Sequence, residues 1–154
     1  KVAIGDDCRL EEDIFFKHDG IWSPGKSIVV GDGVFLGRGV EFNIVGRISI
    51  GAASLIASGC KFIDHDHGFA DLSVPMGHQP NVVAPIELGA DVWLGVNVVV
   101  LKGVSIGRGA RLRPPPSGAP SIDTTCPLPV SATKLMPLGP SGPSQLTVHS
   151  MLSF

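Results

Sequence analysis

Hydrophobic positions recur every six residues along much of this chain. From Val30 onward, units open with an aliphatic residue or Phe, often followed by Gly, and carry a small or β-branched residue four places later. The openers are Val30, Leu36, Phe42, Ile50, Ile56, Phe62, Leu88, Leu94, Val100 and Ile106. The residues four places later are Val34, Val40, Ser54, Cys60, Val92, Val98, Val104 and Ala110. A poorer copy of the unit runs from Ile4 to Leu10.

A period of six fits neither an α-helix nor an array of long hairpins. It fits short strands joined by tight turns, in which the opener points inward and Gly, Asp or Asn supply a positive φ at the corners. Fixed short periods are typical of a parallel β-helix, in which each coil covers the core of its neighbour. The sequence therefore predicts an all-β solenoid. A Gly-rich β-sandwich is the weaker alternative, because four in-phase units follow one another from Leu88.

Two interruptions break the repeat. Between Phe42 and Ile50 one unit gains two residues, which predicts a small bulge in a coil. Between Phe62 and Leu88 the period disappears, and we expect a loop, 63–87, that projects from a corner of the solenoid. The stretch FIDHDHG lies where the regular coils give way to this loop, so its histidines are predicted to be exposed on a rigid base.

The repeat ends after Leu112. Residues 113–154 contain nine of the 13 prolines and many serines. Proline lacks the backbone donor that a central strand needs, so this composition predicts an irregular or disordered tail. The chain thus divides into a β-helix domain, 1–112, and a Pro/Ser-rich tail, 113–154. One hypothesis for the abrupt change is a shifted reading frame; the alternative is a genuine tail that packs loosely along the solenoid.

Composition narrows the function classes. The net charge of -2 and the lack of a basic block argue against nucleic-acid binding. Three widely spaced cysteines, Cys8, Cys60 and Cys126, fit neither a disulfide framework nor a zinc site. No apolar run approaches the roughly 20 residues that span a bilayer, and no signal-peptide pattern opens the sequence. We therefore expect a cytoplasmic protein without a membrane span.

The histidine cluster has two chemical interpretations. Histidine has a pKa near neutrality and suits a general base, with Asp64 and Asp66 as candidate carboxylate helpers. Alternatively, His65, His67 and His78 could bind zinc together with a water molecule.

The EFN stretch (Glu41–Asn43), a histidine at the end of a unit before a loop, and PIELGADVWLGVNVVVLKGVSIGRGA resemble the hexapeptide-repeat acetyltransferases. The likeness is greatest to the sugar and polysaccharide O-acetyltransferases, which include maltose, galactoside and nodulation-factor acetyltransferases. It covers about residues 28–112. The resemblance implies a left-handed β-helix with three units per coil, acetyl-CoA as the acyl donor, a sugar acceptor and no metal. It also implies a homotrimer with sites between subunits.

The resemblance also implies residue roles on the acceptor side. The last position of the unit before the loop is His67, which matches the catalytic base, and His65 is the reserve candidate. Asn43 matches the asparagine that binds the acceptor, and we group Asp64 and Asp66 with it as substrate-binding residues.

On the donor side, Trp93 matches the tryptophan that lines the acetyl-CoA channel. The backbone N–H of Val96 matches the donor to the thioester carbonyl, and Gly95 belongs to the same cofactor-binding segment. We expect Asp91 and Asn97 to be corner residues, not ligands.

Two alternatives to an active transferase remain open. Members of the resembled family continue into further coils with a Thr-Lys pair that contacts coenzyme A. Here the Pro-rich tail stands in that place and Thr133–Lys134 is out of phase, so the chain could be a non-catalytic or degraded scaffold. The other alternative is a zinc enzyme of the γ-carbonic-anhydrase kind, which shares the fold but distributes its histidines over the coils.

Overall fold

The hexapeptide units form short strands that stack into three parallel sheets, in a computed structural model that describes residues 2–20, 25 and 27–113 and the backbone of 147–148. The first face comprises β1 Val2–Ile4, β4 Ile28–Val30, β7 Ile48–Ile50, β12 Ile86–Leu88 and β15 Ser105–Ile106. The second face comprises β2 Arg9–Leu10, β5 Phe35–Leu36, β8 Leu55–Ile56, β13 Trp93–Leu94 and β16 Arg111–Leu112. The third face comprises β3 Phe15–His18, β6 Glu41–Ile44, β9 Lys61–Ile63, β14 Val99–Leu101 and β17 Thr147–Val148.

Successive strands of these three sheets lie on successive faces, and each pairs in parallel with its counterpart one coil away. Three strands therefore make one coil. This arrangement confirms the predicted all-β parallel β-helix of hexapeptide repeats.

The core follows the six-residue count. All ten unit openers and all eight residues four places later are buried, with at most 4% of the residue exposed. Inside the third face, the rings of Phe16, Phe42 and Phe62 stack with centroids 5.1 and 4.9 Å apart. Each fully buried large apolar side chain contributes roughly 1.5–3 kcal/mol through removal from water. The coils are therefore held together mainly by this continuous apolar column.

The corners use left-handed backbone. The second residue of each two-residue turn has a positive φ, at Asp7, Asp13, Gly33, Gly39, Ala53, Gly59, Asp91, Asn97, Gly103 and Gly109. Asp91 and Asn97 both have φ 57°, which confirms that they are corner residues. Glycine adopts this conformation at no steric cost, and Asp and Asn tolerate it better than other residues.

Coil length varies only at the corner between the third and first faces, among the coils that the structure describes. The connections there are 19–27, 45–47, 64–85 and 102–104, whereas those at the other two corners each contain four residues. We call this column of connections the variable corner. The predicted bulge corresponds to the connection 45–47, and the loop expected at 63–87 corresponds to the connection 64–85.

The long connection has structure of its own. It begins with a small antiparallel hairpin, in which β10 His65–Asp66 pairs with β11 Val82–Val83. Between these strands lies one turn of 3₁₀ helix, Met76–His78. The insertion is therefore tied back at its base to the coils.

The tail predictions concern residues largely outside the described part of the chain, including Cys126 and Thr133–Lys134. Within it, Thr147–Val148 pair in parallel with Val99–Val100. No helix in the described ranges combines the length and the apolar character needed to cross a membrane.

Candidate active site

Asp64 is the first residue of the insertion and is fully buried. Its Oδ1 accepts a hydrogen bond from the Val45 N–H and its Oδ2 accepts one from the Gly46 N–H, each at 2.8 Å. Both donors belong to the variable corner of the preceding coil. Two successive backbone N–H groups form a small concavity that suits an anion. The Val45 and Gly46 N–H groups therefore hold the Asp64 carboxylate in a fixed position, and we call this pair of donors the seat.

His65 lies directly against this carboxylate. Its Nδ1 is 3.1 Å from Asp64 Oδ1, and only 9% of the residue is exposed. The backbone of His65 pairs with Val83 in the hairpin. Because a carboxylate that already receives two N–H donors can only accept, Nδ1 carries the proton in the neutral ring and Nε2 keeps its lone pair. The geometry thus selects one imidazole tautomer.

His67 lies two residues further along and is exposed. Its ring centroid is 6.4 Å from that of His65, with the rings nearly perpendicular at 88°. The two histidines open into one cavity of about 480 Å³. Its lining consists of Lys17, Asp19, His65, His67, Gly77, Gln79 and Asn81.

The first coil contributes two lining residues that sequence reasoning missed. Lys17 and Asp19 form an ion pair of 2.8 Å at the lower end of the variable corner. The sequence signal was weak because the units of this coil are irregular. The position of β3 could have identified them, because this strand is followed by the corner between the third and first faces, as β9 is followed by the insertion.

Asp66 and Asn43 lie outside the cavity lining. Asp66 is exposed, and its Oδ2 is 3.3 Å from the Lys102 ammonium. Asn43 donates from Nδ2 to Glu41 Oε1 at 2.6 Å, one coil above Lys17. Glu41 also accepts from Lys61; this hydrogen bond, then the one from Asn43, lowers the pKa of the Glu41 carboxyl.

Trp93 lies on the second face, away from the histidines, with Leu55 and Arg111 as its strand neighbours. It borders a cavity of about 580 Å³. The lining consists of Asp7, Arg9, Gly33, Val34, Phe35, Leu55, Ala57 and Trp93. The predicted base and the predicted donor-site tryptophan therefore line different cavities of one chain.

Gly95 and Val96 occupy the corner between the second and third faces. The Gly95 N–H donates to the Leu112 carbonyl at 2.7 Å, and its carbonyl accepts the Cys60 thiol at 3.1 Å. Burial raises the pKa of Cys60 to about 11, so the thiol remains a protonated donor. Gly95 thus has both backbone groups engaged within the protein.

Val96 is half exposed, and its N–H has no hydrogen bond within the described residues. At the equivalent corner two coils below, the Arg38 N–H binds the Glu11 carboxylate at 2.9 Å. A backbone N–H at this corner between the second and third faces can therefore donate a hydrogen bond to an acceptor oxygen.

The zinc hypothesis required His65, His67 and His78 to meet. Within residues 2–20, 25 and 27–113, no group of three or more His, Cys, Asp or Glu side chains is arranged to hold a metal ion. The three-histidine set is not assembled.

Comparison with known sequences identifies two curated relatives. No family model matches the chain. A Mycobacterium tuberculosis protein named "Probable acetyltransferase Rv3034c" is 41% identical over 86 residues, which cover 56% of this chain and 29% of that protein. The Escherichia coli protein WbbJ, whose name assigns it to lipopolysaccharide biosynthesis as an O-acetyl transferase, is 34% identical over 127 residues, covering 66% of this chain and 64% of WbbJ. The chain thus spans less than two thirds of either relative.

Solved structures show the same fold. A hexapeptide-repeat acetyltransferase of Vibrio cholerae superposes with a TM-score of 0.56 at 24% identity, covering 72% of this chain and 64% of that one. AntD, an N-acyltransferase of Bacillus cereus in complex with dTDP and 3-hydroxybutyryl-CoA, gives a TM-score of 0.59 at 14% identity, covering 73% and 58%. These matches confirm the left-handed hexapeptide β-helix and, with the curated relatives, the resemblance to the hexapeptide-repeat acetyltransferases.

Proposed function

We propose that this hexapeptide β-helix catalyses acetyl-CoA-dependent O-acetylation of a sugar or polysaccharide precursor. The observation that carries the proposal is the pair of histidines, His65 and His67, opening into one polar cavity beside a seated carboxylate. The 34% identity to the E. coli protein named as an O-acetyl transferase supports the sugar hydroxyl as acceptor. The 41% identity to the M. tuberculosis protein supports acetyl transfer.

The lining of the histidine cavity suits a sugar. Lys17, Asp19 and Asn81 offer charged and amide groups that can donate to or accept from hydroxyls. A few convergent polar groups of this kind fix the orientation of a small ligand. An acceptor with many hydroxyls would find more partners here than a fatty alcohol.

The reaction is a direct transfer. One histidine of the pair takes the proton of the sugar hydroxyl as that oxygen attacks the thioester carbonyl carbon. The new C–O bond forms, the C–S bond breaks, and the coenzyme A thiolate leaves and is protonated. General-base assistance of this kind accelerates a reaction by about 10²–10⁴. Holding donor and acceptor together supplies a further part of the rate.

The donor would lie along the second face. Trp93, Leu55 and Phe35 provide apolar surface in the 580 Å³ cavity, and the Val96 N–H would donate to the developing oxyanion. Because the histidines and Trp93 line different cavities, we propose a homotrimer in which the histidines of one subunit face Trp93 of the next. We expect the reaction in the cytoplasm, where acetyl-CoA is available.

The test is acetyl transfer to a panel of hexoses, amino sugars and nucleotide sugars. Transfer is measured by release of the coenzyme A thiol and by mass spectrometry of the product. We expect acetylation of a hydroxyl in at least one sugar, and a trimer by light scattering. The Trp93→Ala variant is expected to raise KM for acetyl-CoA about tenfold, which corresponds to the loss of one aromatic contact.

Leu72→Ala is the matched control, since this loop residue is 98% exposed and is not a lining residue of either cavity. Its KM should equal that of the wild type. Calorimetry that detects no acetyl-CoA binding, together with no transfer to any sugar, would instead support the scaffold alternative.

A further inference from the structure

We propose that His65, rather than His67, is the catalytic base and that Asp64 is the positioning residue that fixes its ring. This inference rests on the proposed acetyl transfer. It differs from the assignment by unit counting, which favours His67. The two histidines differ because His65, and not His67, contacts the Asp64 carboxylate.

The Asp64 carboxylate is held from three directions. Oδ1 faces the Val45 N–H and the His65 ring, and Oδ2 faces the Gly46 N–H. All three partners are donors, so an ionised carboxylate satisfies every contact and a neutral amide cannot. Complete burial removes competing water. The group therefore has one orientation and one charge state in which all its contacts are made.

This seat defines the chemistry of His65. With Nδ1 donating to Asp64, Nε2 is the basic nitrogen, and its ring lines the cavity. Pairing of the His65 backbone with Val83 restrains the other end of the residue. A carboxylate on the far nitrogen holds the imidazole in the correct tautomer and stabilises the imidazolium that forms. His65 is therefore organised for proton abstraction before a substrate arrives.

His67 lacks this organisation. Its side chain is exposed, and among the described residues its ring contact is the edge of His65. An exposed imidazole must lose rotamer freedom before it can act. His67 is better suited to hydrogen bonding an acceptor hydroxyl at the cavity mouth.

The seat also explains an irregularity in the repeat. Val45 and Gly46 lie in the connection that lengthens the unit between Phe42 and Ile50 by two residues. At Gly46 a Cβ would come within 2.7 Å of Val83 Cγ1 and 3.4 Å of Asp64 Oδ2. Glycine therefore leaves room for both the carboxylate and the hairpin. The extra residues carry the donors that orient the catalytic residue one coil further along.

Kinetics of paired variants tests the assignment. We expect His65→Ala to lower kcat by about 10²–10⁴, and His67→Ala to lower it less than about tenfold while raising KM for the acceptor. A loss of about 10²–10⁴ in His67→Ala with near-normal kcat in His65→Ala would overturn the inference.

Asp64→Asn tests the positioning role. We expect at least a tenfold fall in kcat, an unchanged KM for acetyl-CoA, and a shift of the acidic limb of the kcat/KM profile to lower pH, because the base loses its adjacent anion. The other charged groups near His65 form their own pairs, Lys17 with Asp19 and Asp66 with Lys102, and His67 is the remaining titratable ring. Glu87→Gln, at an exposed carboxylate on the first face outside both cavity linings, is the control and should keep the wild-type profile. An unshifted profile in Asp64→Asn would contradict positioning.

Nitrogen NMR of the imidazoles separates this inference from the proposed function. In the wild type we expect the neutral His65 ring to carry its proton on Nδ1, and this readout does not depend on activity or on the folding of a variant. A proton on Nε2 would overturn the role of Asp64. If the wild type transfers no acetyl group, the proposed function and the base assignment both fail, while the tautomer still decides whether Asp64 fixes the ring.

Discussion

The regular coils and the variable corner place their side chains by different means. In the coil formed by β12, β13 and β14, the position of each residue in its hexapeptide decides whether it is buried. At the variable corner, Asp64, His65 and the connection 45–47 are held by hydrogen bonds between one carboxylate, two backbone N–H groups and a ring. The first region depends on apolar area and the second on a few directional contacts.

This difference separates stability from chemistry. Loss of apolar area in one coil should also destabilise its neighbours, because each coil covers the core of the next. Loss of a directional contact acts locally and changes the orientation of one group. Substitutions in the two regions should therefore give distinct signatures, in unfolding free energy for the coils and in local orientation for the corner.

The largest effect is expected in the aromatic column. Phe42 is fully buried between Phe16 and Phe62, so Phe42→Ala should lower the free energy of unfolding by about 3–5 kcal/mol. Guanidinium denaturation followed by circular dichroism measures it. Phe15→Ala, at a position that is 54% exposed, is the control and should cost less than about 1 kcal/mol. Equal losses in the two variants would contradict the predicted role of the column.

A smaller effect is expected at the seat. Asp64→Ala leaves the Val45 and Gly46 N–H groups without their acceptor, so we expect a loss of about 2 kcal/mol. Asp66→Ala removes only a surface ion pair with Lys102 and should cost less than about 1 kcal/mol. Urea denaturation measures the free energy of unfolding of both variants. A larger loss in Asp66→Ala than in Asp64→Ala would mean that Asp66, rather than Asp64, is the carboxylate that stabilises the fold.

The outer surface of the third face should respond to pH. The hydrogen bond from Lys61 lowers the pKa of Glu41 in the folded protein. The stability from this pair is therefore present above the usual glutamate pKa and is lost as pH falls through the lowered folded value. Glu41→Gln should cost about 0.5 kcal/mol at neutral pH, since the pair is partly exposed. Denaturation at neutral and acidic pH should show this difference vanish; a difference that grows in acid would be inconsistent with the pair.

An effect of similar size but opposite sign is expected at a corner. Ala53 has φ 57°, a conformation that costs an L-residue roughly 1–2 kcal/mol. Ala53→Gly relieves this strain but frees the unfolded chain, so we expect a net gain of about 0.5 kcal/mol. Ala52→Gly, at the neighbouring turn position without a positive φ, should give no gain. Thermal unfolding of both variants measures the difference, and a destabilised Ala53→Gly would contradict the strain argument.

Sequence reasoning predicted the coils well because burial in this fold depends on a short fixed period. It placed every opener from Val30 to Ile106 in the core. It described the first coil less well, because the units of this coil follow the six-residue pattern only loosely, and Ile4 and Leu10 are 42% and 39% exposed.

The site was harder to predict because its contacts cross between coils. The sequence identified the histidines and Asp64, but the partners of Asp64 are backbone groups of Val45 and Gly46, 19 and 18 residues earlier. Backbone donors leave no residue-type signature. The cavity residues Lys17 and Asp19 come from two coils below the insertion, and only the stacking of the coils brings them near His65.

The confinement of length variation to one corner has an evolutionary consequence. A connection at the variable corner can lengthen, shorten or be exchanged without shifting the register of any strand, because the chain leaves the third face and re-enters the first at fixed points. Selection can therefore act on residues 68–81, which lie beyond the two histidines, and change the acceptor while the coils and the histidines stay unchanged. The β-helix therefore tolerates sequence change at the variable corner, where acetyl transfer is proposed to occur.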